Sequence, residues 1–251
     1  VLKQIIQKSL KSRITKEGVV FVWHTGEPLI ASKTYYENAI HFAREYNQSN
    51  SNVEFAIQTN ATLLTDDLCS FFKRNKFNIT LSIDGPDFIH NKNRVNWNNK
   101  GSFKLVKKGV DCIKRANMPL RAICVITNYS LDYPEEIFDF FNDYSFTYLG
   151  FNIDEIHGKN QDSTYNKLNT EKRFIHFIKK IFDLWLQNGK KPYIREFASI
   201  LSKIKKHQTI NYIPGISCES NEFKHFNFSR NGDFSTFSPE LITGTSLETK
   251  R

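Results

Sequence analysis

A chain of 251 residues, 39% hydrophobic and 24% charged, is long enough to bury a full core and fits one large α/β domain or one domain plus a small appendage. The mean hydropathy of −0.48, and the lack of any apolar run of about 18 residues, argue against a transmembrane helix in these residues, and no signal peptide is apparent in the basic, amphipathic residues 1–13. The net charge of +9 is spread over Lys and Arg without interleaved aromatics, so it reads as a solvated surface rather than a nucleic-acid site, and the protein is expected in the cytoplasm with neither nucleic acid nor membrane as partner.

In chain order, Leu2, Ile5, Ile6 and Leu10 recur at helical spacing. Residues 19–23 read as a strand ending in Gly26-Glu27-Pro28. Glycine there lets the backbone approach a ligand, Pro28 fixes the turn and can start a helix, and Glu27 leaves a carboxylate at the strand's C-terminal edge. Taken alone, this stretch better suits an ordinary strand-to-helix loop, with Glu27 as a solvated residue or a helix-start charge. Residues 33–46 form a helical pattern with Tyr36, Ile40 and Ala43 on one face. A strand over 53–58 ends in Gln58-Thr59-Asn60. Thr65 caps the next helix, with Asp66 and Asp67 in its first turn to suit the dipole. A strand over 78–83 ends in Asp84-Gly85-Pro86, and a long polar loop spans 90–101. Residues 102–116 form a helix facing Phe103, Val106, Val110 and Ile113 inward. Then come a strand over 120–127, a helix over 134–143, a strand over 147–153 ending in Asp154-Glu155, and helices over 170–187 and 193–205. Asn231-Gly232 between alternating runs predicts a β-hairpin within 223–237.

Strands alternating with helices mean βαβ units and a parallel sheet with right-handed crossovers. In a barrel the polar strand ends, Gly26-Glu27, Gln58-Asn60, Ser82-Asp84 and Asp154-Glu155, converge on one face and make one site. Cys69 and Cys112 on helical patterns and Cys124 in a strand read as buried thiols; Cys218 lies in a polar, Gly-containing loop. The four form no C-x-x-C pair and no zinc spacing.

Trp23-His-Thr-Gly-Glu-Pro-Leu29, Gln58-Thr-Asn-Ala-Thr-Leu-Leu64, Leu81-Ser-Ile-Asp-Gly-Pro86 with His90 and Arg94, Gly101-Ser-Phe103 and Val125-Ile-Thr127 resemble, in order and spacing, the motifs of radical SAM enzymes with a SPASM-type C-terminal extension. Gly150-Phe-Asn-Ile-Asp-Glu155 and Gly232-Asp-Phe-Ser-Thr-Phe-Ser-Pro-Glu-Leu241 resemble the subgroup that installs cyclophane crosslinks in ribosomal peptides. The resemblance implies a partial (β/α)6 TIM-like barrel over 1–210, lacking its first strand, followed by the start of a SPASM-like extension over 211–251. It implies S-adenosyl-L-methionine (SAM) and a [4Fe-4S] cluster as cofactors, an external electron donor, and a ribosomal precursor peptide as partner. A 5′-deoxyadenosyl radical would abstract hydrogen from that peptide, and the resulting carbon radical would attack an aromatic ring.

Residue by residue, the resemblance implies that Gly26, Glu27 and Pro28 hold the SAM amino group. Gln58 and Asn60 lie beside cluster and SAM. Ser82 and Asp84 bond the SAM carboxylate or ribose, Arg94 offers a fork to a carboxylate, and Thr127 lines the adenine pocket. Asp154 or Glu155 serves as substrate-side acid or base, with Glu240 as a further nearby carboxylate. For Arg94 a solvated loop position, and for the acids a salt-bridge role, stand as alternatives. The pattern departs from the family in three places. No C-x-x-x-C-x-x-C loop precedes residue 21, Thr25 stands for the first Gly of the usual Gly-Gly-Glu-Pro, and Phe237 and Ser238 stand where the extension usually has Cys and Asp. Cys218 matches an auxiliary-cluster cysteine. The expectation is therefore a fragment truncated at the N-terminus; the alternatives are a cluster-less peptide-binding relative and a sulfatase-maturation-type enzyme.

Overall fold

The computed structural model describes residues 1–154, 169–207 and 225–235. Six parallel strands form one sheet in sequential order: β1 (Gly18–Trp23), β2 (Asn52–Thr59), β3 (Phe77–Ser82), β4 (Arg121–Ile126), β5 (Tyr148–Ile153) and β6 (Tyr193–Ile194). The expected parallel α/β, TIM-like architecture is what the chain adopts. Because all six strands run the same way, every strand's C-terminal end opens on one face.

The helices are α1 (Leu2–Lys11), α2 (Lys33–Tyr46), α3 (Asp66–Arg74), α4 (Asp87–Asn93), α5 (Phe103–Arg115), α6 (Pro134–Asp143), α7 (Thr170–Gln187) and α8 (Arg195–His207). They bury the faces that helical spacing singled out: Tyr36, Ile40 and Ala43 on α2, and Val106, Val110 and Ile113 on α5. Thr65 caps α3 by accepting from the Leu68 amide at 3.2 Å. Aromatic rings weld the helical layer to the sheet. Trp23 and Phe55 lie against Phe77, and buried Tyr36 meets Trp23, Phe72 and Phe77 edge-on, with centroids 5.0–5.9 Å apart. Cys69, Cys112 and Cys124 are buried in this core, as their patterns suggested. Within the hairpin, β7 (Asn227–Phe228) pairs antiparallel with β8 (Phe234–Ser235).

Two local readings need correction. Residues 193–194 do not begin the last helix; they pair with β5 as Tyr148↔Tyr193 and Leu149↔Ile194, with the two tyrosine rings stacked at 5.5 Å. A two-residue strand has no periodicity to read, and its pairing is wholly tertiary. Nor is the stretch from residue 90 all loop, because α4 runs through Asn93. The loop proper is a small closed structure, bridged at Val95↔Gly101. Among the described residues no helix is long and apolar enough to cross a membrane.

Candidate functional site

At the C-terminal ends of β1, β2 and β3 lies a cleft of about 350 Å³ walled by His24, Thr25, Gly26, Gln58, Asn60, Ser82 and Arg94. The sheet register explains the convergence. Gln58 pairs with Thr80 and Ser82 with Ile123, so Gln58 and Ser82 share the inner face with Val22 and Ala56, while Thr59 and Leu81 face the helices. Five of the walls, Gly26, Gln58, Asn60, Ser82 and Arg94, are residues the motifs nominated. His24 and Thr25 sat within the quoted motif without an assigned part in binding.

Glu27 is nominated too, but its carboxylate is turned into the chain. Oε1 accepts from the Leu29 amide (2.9 Å) and the Thr59 hydroxyl (2.6 Å), and Oε2 accepts from the Asn60 amide (2.9 Å). It thus ties the end of β1 to the end of β2. Thr59, 1% exposed, completes the knot by accepting from the Ala61 amide at 3.0 Å. Asn60 shapes the next turn through Oδ1, which accepts from the amide and hydroxyl of Thr62. Ala61 packs so closely on α5 that a Cβ on Gly109 would stand 2.4 Å from the Ala61 carbonyl oxygen; only glycine lets the helix pass. Pro28 opens a single 3-10 turn, and its carbonyl accepts from the buried Tyr36 hydroxyl at 2.7 Å.

Arg94 is held from behind. Its Nε and Nη2 donate to the two oxygens of Asp84 at 2.6 and 2.9 Å, and Asp84 Oδ1 also accepts from the Val125 amide. Asp84 is 4% exposed, so its charge is satisfied inside the protein and does not wall the cleft. Burial pulls the Arg94 guanidinium down, but the charge and hydrogen bonds of Asp84 outweigh it and leave Arg94 above its ordinary value. Behind the pair, wholly buried His90 accepts from the Asp84 amide at Nδ1 (3.4 Å). Its Nε2 lies 3.0 Å from the Ser102 hydroxyl, which donates to the Arg94 carbonyl. This fixes the neutral tautomer with hydrogen on Nε2. Burial lowers the His90 pKa to about 4. At the cleft mouth His24, bonded to the Thr25 hydroxyl at 2.9 Å, is also lowered by desolvation, although part of its surface reaches solvent.

The remaining nominated residues lie elsewhere. Thr127, at the end of β4, closes on Ser130: its amide donates to Ser130 Oγ at 2.8 Å and its carbonyl accepts from the same hydroxyl. Asp154 follows β5, its amide donating to the Ile126 carbonyl. Neither is among the cleft walls. Glu155, Cys218 and Glu240 lie outside the described residues, as do Phe237 and Ser238.

Thr25 and Gly26 both take left-handed backbone, at φ +68° and +70°. A β-branched residue there is strained by roughly 1–2 kcal/mol, partly offset by the extra unfolded-chain entropy that glycine would bring. Thr25→Gly is therefore expected to stabilise the fold by about 1 kcal/mol in urea denaturation. An unchanged or lower midpoint would mean the turn is not strained.

A model of the Radical SAM superfamily matches residues 2–141. The cysteine-type anaerobic sulfatase-maturating enzyme of Clostridium novyi (strain NT) is 30% identical over 207 residues, 80% of this chain and 54% of that enzyme. Native anSMEcpe with bound AdoMet and Kp18Cys peptide superposes with a TM-score of 0.70 at 28% identity, over 81% of this chain and 57% of that one. Streptococcus suis SuiB bound to precursor peptide SuiA superposes with a TM-score of 0.61 at 15% identity, over 97% and 53%, a likeness of fold alone. The chain belongs to the Radical SAM superfamily. It spans little more than half the length of these relatives.

Membership implies SAM and a [4Fe-4S] cluster, and the two fare differently against the residues present. The cleft suits the amino-acid end of SAM: Arg94 and the Ser82 hydroxyl can donate to a carboxylate, while strand-end backbone and the Gln58 and Asn60 amides surround a zwitterion-sized space. For the cluster the described residues do not fit. They contain no group of three His, Cys, Asp or Glu able to hold a metal. Burial raises the thiol pKa of Cys69 to about 12 and raises those of Cys112 and Cys124 as well, against the thiolate a cluster needs.

Proposed function

We propose that this chain is the SAM-binding part of a radical SAM peptide maturase, with a ribosomally made peptide as substrate and a C–C cyclophane crosslink at an aromatic residue as product. The convergence of Gly26, Gln58, Asn60, Ser82 and Arg94 on one polar cleft at the strand ends carries the reading. In it Arg94 and Ser82 hold the SAM carboxylate, the turn at Gly26 takes the ammonium, and Thr127 borders the adenine side. Asp84 and Glu27 act from behind as positioning residues. Asp154 or Glu155 supplies the substrate-side acid or base, with Glu240 nearby. The cluster-bearing segment, the electron donor and any auxiliary cluster at Cys218 belong to the same proposal, as does the division into a barrel over 1–210 and an extension over 211–251. Identity to the Clostridium novyi enzyme favours a second reading, maturation of a sulfatase.

Calorimetric titration of the chain with SAM tests the core of this. Binding is expected, weakened by about a hundredfold or more in the combined Gln58→Ala, Ser82→Ala variant, since hydrogen bonds to charged groups each contribute roughly 1.5–3 kcal/mol. No binding, or binding indifferent to both changes, would overturn it. Mass spectrometry separates the two readings: loss of two hydrogens with a side-chain crosslink in an aromatic precursor peptide supports the first, and modification of a sulfatase peptide supports the second.

A further inference from the structure

Between Phe88 and Val110 the chain carries Lys92, Arg94, Lys100, Lys104, Lys107 and Lys108 but no Asp or Glu. Asp84 neutralises Arg94, whereas the five lysines, all exposed, form no ion pair among the described residues. The charge of this protein is therefore not evenly spread. Besides the acid-free start of the chain, with Lys3, Lys8, Lys11, Arg13 and Lys16, one such basic surface covers α4, the loop after it, and the first turns of α5, where Lys104, Lys107 and Lys108 share a face by helical spacing with a single acid, Asp111.

In the middle of this surface stands Trp97, fully exposed, with Val95 also open to solvent. The loop that presents it is built rather than loose. Asn96 donates from its amide to the Lys100 carbonyl at 2.8 Å, and its Oδ1 accepts from the amides of Asn98 and Lys100. At the base, Ser102 donates to the Arg94 carbonyl through both amide and hydroxyl. Gly101 lies against Asn91 so tightly that a Cβ would come within 2.2 Å of that side chain. A tryptophan left in water on an ordered loop offers a large amphipathic contact with little ordering still to lose, which is how interface anchors behave. Arg94, at the loop's foot, is itself a wall of the cleft.

We propose that the Trp97 loop and the lysines of α5 dock an acidic, apolar-dotted segment of the peptide substrate and lead it to the cleft. Trp97 would cover an apolar side chain, the lysines would face Asp or Glu, and the exposed Asn98 and Asn99 amides would meet the peptide backbone. This rests on the peptide-maturase reading. A nucleic acid fits less well, because single strands are held on serial stacking platforms and this surface offers one exposed tryptophan.

The test titrates the whole chain, at low ionic strength, with a short Glu-rich peptide containing leucines, its Gln-for-Glu counterpart, and an oligothymidylate of similar length. Fluorescence reports directly, since Trp23 and Trp185 are packed in the core while Trp97 is not. The acidic peptide is expected to shift Trp97 emission and to bind at least about tenfold tighter than the neutral one. Trp97→Ala, followed by calorimetry, and the Lys104→Glu, Lys107→Glu pair are each expected to weaken it about tenfold while leaving SAM binding unchanged. Equal affinity for the two peptides, tighter binding of the oligothymidylate, or insensitivity to both variants would overturn the docking role. SAM binding without peptide binding sinks this inference alone; loss of SAM binding by the unaltered chain sinks the function on which it rests.

Discussion

Asp84→Ala should cost about 3–4 kcal/mol of stability and, in the same protein, most of the affinity for SAM. Asp84 accepts three hydrogen bonds, two from Arg94 and one from the Val125 amide, and it is almost fully buried. Truncation leaves a guanidinium, only 28% exposed in its side chain, without its counter-charge, and a strand amide without an acceptor. Breaking a buried pair from one side costs more than the pair is worth, because the survivor stays desolvated. Asp84→Asn separates the two contributions. It keeps the volume and an oxygen for Val125 but withdraws the charge, so its loss should be smaller, about 2 kcal/mol. Arg94→Lys tests the fork from the other side: the charge survives, the bidentate geometry does not, and SAM affinity should fall more than stability does. Urea denaturation and calorimetric titration on the three variants suffice. If Asp84→Asn lay within about 0.5 kcal/mol of the parent, the pair would not be what anchors the cleft.

This pair also marks where reading the sequence ran short. The motifs point Asp84 and Arg94 each at a ligand, one by its strand end and one by its fork. Nothing in their spacing says that they satisfy each other, because that contact depends on α4 turning the chain back over the end of β3. The same limit applies to Glu27, whose three partners come from β2 and its own turn. The sequence carried the strand ends as polar clusters after apolar runs, and the parallel register then had to gather them on one face. Gln58 and Ser82 were legible for that reason, being on the inner face by alternation. Thr59 was not, since a threonine facing the helices looks like a strand former. Thr25 was legible as a departure from the motif but not as strain, which needs φ. The total charge is legible in the sequence, while the basic run between Phe88 and Val110 gains meaning from the closed loop that stands Trp97 out among its lysines.

His90 carries the second large effect, and it is one of pH. The folded imidazole titrates at about 4, the unfolded one near its ordinary 6.5. Its neutral form is locked by two bonds: Nδ1 accepts from the Asp84 amide and Nε2 donates to Ser102. A proton on Nδ1 would replace the acceptor that the Asp84 amide needs. Because the folded value lies below the unfolded one, the unfolded chain takes up the proton first. Stability from this group is complete above pH 6.5, drains as pH falls through the interval down to 4, and is exhausted below it. A difference of that size amounts to about 3 kcal/mol, on the order of half the stability of a marginal domain. Other groups titrate in the same range, so the measurement is a difference. Urea midpoints of the parent and of His90→Gln, taken from pH 7.5 to 4.5, remove what the two share. At neutral pH the variant should be the weaker by about 1 kcal/mol, since it loses the 3.0 Å bond to Ser102 and the longer 3.4 Å bond from the Asp84 amide. As pH falls the parent should lose that advantage and then drop below the variant, which has no imidazole to protonate. Parallel curves across the interval would mean that His90 takes up its proton as readily in the fold as in the unfolded chain, and that the bond from the Asp84 amide does not hold the strand end as the geometry requires.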